Sequence, residues 1–201
     1  MAKDANGNIW AGTPMGAYRF NGATWDSFNT ATEVPGEVRS IAVDGNKVWF
    51  GTNGGGIHSY DVTNLAWAHE TMANGNIPSN QVTAIAARND SLFVGTPGNI
   101  SFFNPAGGGT WTTEIIGAAG NEIYDIVMWD YGTVHASTAD GLYYTGGSVW
   151  NPDGMLSSYK PTGVIERVNY ELWIGFNENM KGVLPYMFST PPPPYTVTGS
   201  Q

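Results

Sequence analysis

A short phrase returns five times at intervals near 40 residues, the runs between its copies are brief and β-prone, and no stretch of a dozen residues keeps a helical period. These observations predict an all-β fold, a five-bladed β-propeller built from four-stranded antiparallel blades of about 40 residues. The phrase reads Gly7-Asn8-Ile9-Trp10-Ala11-Gly12-Thr13, then Lys47-Val48-Trp49-Phe50-Gly51-Thr52, then Ser91-Leu92-Phe93-Val94-Gly95-Thr96. Thr133-Val134-His135-Ala136-Ser137 and Glu171-Leu172-Trp173-Ile174-Gly175 complete the series. Anchored on Trp10, Trp49, Phe93, Val134 and Trp173, the spacings are 39, 44, 41 and 39 residues. The repeats run approximately over 1–36, 37–80, 81–121, 122–161 and 162–201, and a single domain, 1–201, accounts for all of them.

Each repeat divides into four runs, here called strands A to D. Strand A carries two apolar residues three apart: Val38 and Ile41, Val82 and Ile85, Ile123 and Ile126, and more weakly Thr162 and Ile165. Turn residues that tolerate left-handed backbone follow it, as in Asn6-Gly7-Asn8, Asp44-Gly45-Asn46, Asn89-Asp90 and Asp130-Tyr131-Gly132. Strand B holds the phrase itself. Its glycine, replaced by Ala136 in the fourth copy, leaves room for a neighbouring sheet, and its aromatic fills the wider space beside it. Strand C reads Ala17-Tyr18-Arg19-Phe20, Ile57-His58-Ser59-Tyr60, Ile100-Ser101-Phe102-Phe103 and Leu142-Tyr143-Tyr144; strand D is marked by Trp25, Trp67, Trp111 and Trp150. Seven of the eight tryptophans therefore occupy repeat positions and are expected to pack between blades; only Trp129 falls outside both registers.

Composition bounds the function. With 8 basic and 17 acidic residues the net charge is −9, which disfavours nucleic acid and anionic membrane surfaces as partners. The chain has no cysteine, so disulfides, thiolate zinc sites and cysteine nucleophiles are excluded. No apolar run reaches the ~20 residues of a membrane span, and Met1-Ala2-Lys3-Asp4 is not a signal peptide.

The copies Ile77-Pro78-Ser79-Asn80-Gln81-Val82-Thr83-Ala84-Ile85-Ala86, and Gly7 to Thr13 with Gly16-Ala17-Tyr18-Arg19-Phe20, are similar to the two-component regulator propeller repeat. The resemblance covers nearly the whole chain and is strongest in the first three copies. It implies propeller blades of the kind found in sensor halves of bacterial signalling proteins that detect glycans, and so a periplasmic or extracellular location. Those sensors carry more repeats than five.

The seam of the ring is the open point. Only Ala2-Lys3-Asp4 stands where the first copy should have strand A, and Pro191-Pro192-Pro193-Pro194 interrupts the last copy. Tyr195-Thr196-Val197-Thr198 then serves either as strand D of the fifth blade or as strand A of the first. A blade left short would expose an edge through which the chain self-associates.

Chemistry-bearing motifs are few. His58, His69 and His135 do not cluster by spacing, so no metal site is expected, and Asp4-Ala5-Asn6-Gly7-Asn8 reads as a hairpin turn rather than a calcium loop. A serine nucleophile elbow and a phosphate loop are both absent, and nothing implies a cofactor. Paired carboxylates such as Asp125 and Glu166 could face each other near the axis, at a separation that spacing alone does not give.

Function in this architecture is expected where D–A and B–C loops gather at one end and depart from the repeat. The D–A set holds Glu37, Asn80, Asn121 and Tyr159, leading into Arg39, Tyr124 and Asp125; the B–C set holds Asn53, Asp140, Asn177 and Glu178. Amides, carboxylates and phenols of this kind suit sugar hydroxyls or a peptide backbone. The expectation is a non-enzymatic module that binds a glycan or peptide through Arg39, Asn53, Asn80, Asn121, Tyr124, Asp125, Asp140, Tyr159 and Asn177. A structural, self-assembling unit is the alternative, and a propeller lyase or hydrolase the second alternative.

Overall fold

The computed structural model describes residues 1–30, 33–105, 108–128, 133–146, 149–154, 161–167, 171–176 and 183–187. They fall into two compact units, Met1–Glu122 and Ile123–Gln201.

The first unit holds three four-stranded sheets, in each of which consecutive strands pair antiparallel. The first sheet comprises β1 (Ala2–Lys3), β2 (Ile9–Thr13), β3 (Gly16–Phe20) and β4 (Trp25–Phe28). The second comprises β5 (Val38–Asp44), β6 (Lys47–Thr52), β7 (Gly56–Asp61) and β8 (Ala66–Glu70). After a short 3-10 helix at Met72–Asn74 come β9 (Ala84–Arg88), β10 (Ser91–Thr96), β11 (Asn99–Asn104) and β12 (Thr110–Ile115). The first sheet is therefore complete: the two residues of β1 pair with Trp10 and Ile9 and supply the short strand A.

The second unit holds a four-stranded sheet of β13 (Ile123–Met128), β14 (Val134–Thr138), β15 (Gly141–Thr145) and β16 (Asn151–Pro152). Its other sheet has β17 (Pro161–Arg167), β18 (Glu171–Phe176) and β19 (Val183–Met187), three strands among the described residues. Tyr195-Thr196-Val197-Thr198 lies outside those residues, as do Trp129 and the polyproline tract.

Strand register follows from the turns. Thr13 Oγ1 donates to the Gly16 carbonyl (3.0 Å), Thr52 Oγ1 to Gly56 (2.8 Å) and Thr138 Oγ1 to Gly141 (2.9 Å), so the threonine of the phrase closes the B–C hairpin. This corrects the fourth copy. Ser137 pairs with Leu142 as Gly51 pairs with Ile57, so His135, not Val134, is the anchor, and Ser137, not Ala136, takes the glycine position. The cause is one extra residue between the paired A and B positions: Ile126 faces Ala136 where Ile41 faces Phe50.

Glycine at that position does admit the next blade. A β-carbon on Gly12 would lie 2.6 Å from Val38 Cγ1, and one on Gly51 would lie 2.6 Å from Val82 Cγ1. Around these contacts the blades bury two apolar clusters. Between the first and second sheets lie Trp10, Val38, Val48, Phe50 and Tyr60, with Phe28 and Trp67 at the rim. Between the second and third lie Ile57, Val82, Ile85, Leu92 and Val94, flanked by Trp49, Phe103 and Trp111. Trp10 meets Phe28 and Phe50 at 5.3 Å and Tyr60 at 5.5 Å between ring centroids, tilted or edge-on, the arrangement aromatic quadrupoles favour.

Of the seven repeat tryptophans only Trp10 is fully buried; Trp49, Trp67, Trp111, Trp150 and Trp173 are half-buried and Trp25 is exposed. Lys47 Nζ lies 5.7 Å from the Trp49 ring centre, and Trp25 is 55% exposed. Trp25 meets Phe20 at a tilt, 5.2 Å between ring centroids, in the register that Trp67 shares with Tyr60, so both hold the same face of their blades. In the second blade that face packs on the first.

Buried polar groups lock the first blade. Asp4 accepts bonds from the amides of Asn6 (3.0 Å) and Asn8 (2.9 Å), from Asn8 Nδ2 (2.9 Å) and from the buried Trp10 indole Nε1 (2.9 Å). Burial alone would raise this carboxyl, but the four donors outweigh it and hold the group below its ordinary value. Asp4→Ala leaves the indole N–H buried without an acceptor and is expected to cost about 1–3 kcal/mol in a urea titration near neutral pH. Because the folded carboxyl ionises more readily than the unfolded one, that difference is complete above pH 3.8 and shrinks as the pH falls further.

His135 supplies a second test. It is buried in the anchor position and stacked on Tyr144 at 6.2 Å, and burial pushes its charging down from 6.5 to about 4. The folded state resists a proton that the unfolded chain accepts, so stability falls as the pH drops from 6.5 towards 4. At roughly 1.4 kcal/mol per pH unit the loss is about 3 kcal/mol. His135→Phe keeps the ring and removes this titration; urea midpoints of the variant are expected to fall less across that window than those of the native chain, the remaining fall coming from the buried His58.

Candidate functional site

In each of the four-stranded sheets the B–C turn and the D–A connections share one end, because the four strands run as a meander. Hydrogen bonds knit this end together in the first unit. The Asn80 carbonyl accepts from the amides of Gly54 (2.9 Å) and Gly56 (3.0 Å), the Asn53 amide donates to Glu37 (2.9 Å), and Gly98 donates to Asn121 (2.6 Å). Asn53 also forms an isolated β-bridge with Gln81.

Three inner strands carry a register irregularity at one equivalent place. The ladder slips between Val38 and Ser40, between Ile123 and Asp125, and between Pro161 and Gly163. The residues left unpaired are Arg39, Tyr124 and Thr162, all exposed. A bulge of this kind re-aims a side chain out of the sheet. In the third blade the ladder begins without it, and Thr83 instead donates its amide and its hydroxyl to the Gly95 carbonyl (2.9 and 3.3 Å).

Within the first unit the structure brings Glu37, Arg39, Asn53, Asn80 and Gln81 together. Asn53 Nδ2 donates to Glu37 Oε2 at 2.7 Å, and Arg39 Nε lies 3.6 Å from the same oxygen. Asn80 Oδ1 accepts from the Met72 amide at 2.6 Å, which ties the 3-10 helix to this end. Asn121 departs from the expectation. It is 5% exposed, and its Nδ2 donates to the Ile116 carbonyl at 3.2 Å, so its amide closes a turn and is not presented to a ligand.

In the second unit Tyr124 is 38% exposed at its bulge. Asp125 is half-buried, with Oδ1 accepting the Ile126 amide at 2.9 Å. Asp140 is exposed in the B–C turn, its amide donating to Thr138 Oγ1 at 3.2 Å. Burial first, and the Asp140 charge second, push the Tyr143 phenol up. Tyr159, Asn177 and Glu178 lie outside the described residues, and so does the side chain of Glu166.

Register shows one constellation that spacing concealed. His58 and His69 are cross-strand partners with rings stacked 6.0 Å apart. His58 Nε2 donates to the Gly55 carbonyl at 3.1 Å, and burial holds its charging below the ordinary value. Among the described residues no three His, Asp or Glu side chains gather in a group that could hold a metal ion.

No protein-family model and no curated protein sequence matches the chain. Solved structures do. The fold is similar to the extracellular domain of a hybrid two-component system from B. thetaiotaomicron, with TM-score 0.65 and 15% identity over 98% of this chain and 32% of that one. It is similar to YCF48 bound to D1 peptide, with TM-score 0.66 and 17% identity over 94% of this chain and 63% of that one. A virginiamycin B lyase of Staphylococcus aureus gives TM-score 0.65 and 14% identity over 87% of this chain and 61% of that one. This chain thus spans about a third of the two-component domain's length and about three fifths of the other two. The repeat phrase, the four-stranded blades and these likenesses define an all-β propeller-repeat protein with the fold of extracellular two-component sensor domains.

If the knitted end holds the first unit's blades in register, Asn80→Ala should release the 3-10 helix and little else. Exchange of the Met72 amide is expected to rise at least tenfold, with the Val94 amide in β10 unchanged.

Proposed function

We propose that the chain is a non-enzymatic recognition module, its five repeats forming one five-bladed propeller, that binds a glycan or peptide at the end shared by the B–C turns and D–A connections. One observation carries this reading: the inner strands of three blades slip at the same place and turn Arg39, Tyr124 and Thr162 out of the ladder. A bulge costs ladder hydrogen bonds, and a structural propeller has no need of one at a recurrent position. Each unit brings its own polar groups for a hydroxylated or amide-rich ligand: Asn53, Asn80 and Gln81 in the first, Asp125 and Asp140 in the second. Tyr159 and Asn177 belong to the same proposal on sequence grounds.

The likeness to extracellular sensor domains supports a sensing role outside the cytoplasm. Among the described residues no helix is long and apolar enough to cross a membrane. The test is binding to glycan and peptide arrays. Tyr124→Ala and Asn53→Ala are each expected to lower the signal at least tenfold, and Lys47→Ala, at the opposite end of its blade, to leave it unchanged. A chain that binds no member of either array contradicts the reading.

A second reading, self-assembly, is favoured by the exposed Trp25, which lies against the half-buried Phe20 on the blade face whose counterpart in the second blade is packed. Light scattering at increasing concentration is expected to show a mass that rises above 21.5 kDa and returns to it in Trp25→Ser. A monomer at all concentrations removes this reading.

A further inference from the structure

We infer that Arg39 is the anchor of a carboxylate-binding subsite. The inference rests on the binding reading above and names the chemistry that the first unit's end would recognise. The first unit has five basic residues, and four of them stand at the other end of their blades. Lys3, Lys47 and Arg88 flank A–B turns, and Arg19 lies by a C–D turn, bonded to Asp26 at 2.8 Å and set over the Trp10 and Phe28 rings. Arg39 is alone at the B–C and D–A end.

Its side chain is 36% exposed and oriented from one side only. Glu37 Oε2 lies 3.6 Å from Nε, beyond hydrogen-bonding distance, and Asn53 Nδ2 holds that same oxygen at 2.7 Å. Among the described residues no acceptor meets Nη1 or Nη2. The outer edge of a guanidinium presents two parallel N–H donors, and a carboxylate is the group whose two oxygens match them. Glu37 acts as the positioning residue: it faces the Nε side and leaves the Nη side open. Asn80 Nδ2 and the exposed Gln81 amide add neutral donors nearby, suited to the hydroxyl or amide groups that accompany such a carboxylate.

The strongly acidic chain also bears on the choice. At a net charge of −9 a diffuse attraction for anions is absent, so an acidic ligand must be held by directed bonds at one cation. Two sources present a carboxylate of this kind, a uronic acid residue of a glycan and the C-terminus of a peptide.

The experiment is calorimetric titration of the full chain with two matched pairs: a uronic acid disaccharide and its methyl ester, and a tetrapeptide acid and its C-terminal amide. One acid is expected to bind at least tenfold more tightly than its neutral partner, and the pair in which this occurs identifies the source. Arg39→Lys keeps the charge but loses the paired donors; it is expected to weaken the acid at least tenfold, to weaken the neutral partner by a clearly smaller factor, and to leave the urea midpoint unmoved. Equal binding of acid and neutral forms, or an Arg39→Lys chain that binds the acid as before, overturns the carboxylate subsite and leaves the broader recognition reading standing. Failure of both acids to bind also overturns it, and the array binding described above then decides the broader reading independently.

Discussion

The first unit depends on a point of contact where a side chain is missing. Gly12 and Gly51 let Val38 and Val82 come so close that a β-carbon would stand 2.6 Å from a valine methyl. Everything apolar is arranged around that approach. Trp10, Phe50 and Tyr60 fill the wider space beside the first contact, and Ile57, Ile85 and Leu92 fill it beside the second. Sheets that approach this closely bury most of both faces, the main favourable term in a chain with so few charges.

Polar groups set where the approach falls along each strand. Ser40 Oγ accepts the Ile85 amide of the next blade at 3.0 Å, and Asp44 Oδ2 accepts the Asp90 amide at 2.6 Å. The phrase threonine, directly after the glycine, closes the B–C turn, and Asp4 pins the anchor indole of the first blade. A one-residue slip would bring a side chain to the glycine's place, so each of these bonds defends the same register.

Most of the fold was legible in the sequence because the packing rule is local and recurs. Trp10 and Gly12 declare it together, and Gly51 and Gly95 repeat it. It became unreadable where the rule changed its residues: with His135 and Ser137 in place of an aromatic and a glycine, and one extra residue before them, the fourth copy aligned one position too early. Trp25 misled in another way, since a blade face looks the same whether or not a partner covers it. At the candidate site, Arg39 and Tyr124 stand out in the sequence by their departure from the repeat, and the structure places both at bulges. Asn121 departs equally but serves a turn, and no single-sequence signal separates a buried turn amide from an exposed one. The His58–His69 stack is a cross-strand relation that only register shows.

The blade faces supply the stability, and the end loops are left free to vary, as the proposed recognition at that end requires. The central claim is that the side-chain-free contact sets the blade spacing, and a double-mutant cycle tests it most directly. Gly51→Ala should destabilise the chain by about 1–3 kcal/mol, as overpacking does. Val82→Ala should also destabilise it, through lost burial. Combined, the two should cost less than the sum of the single changes by about 1 kcal/mol or more, because shortening Val82 makes room for the new methyl. Strict additivity in urea denaturation would contradict the account.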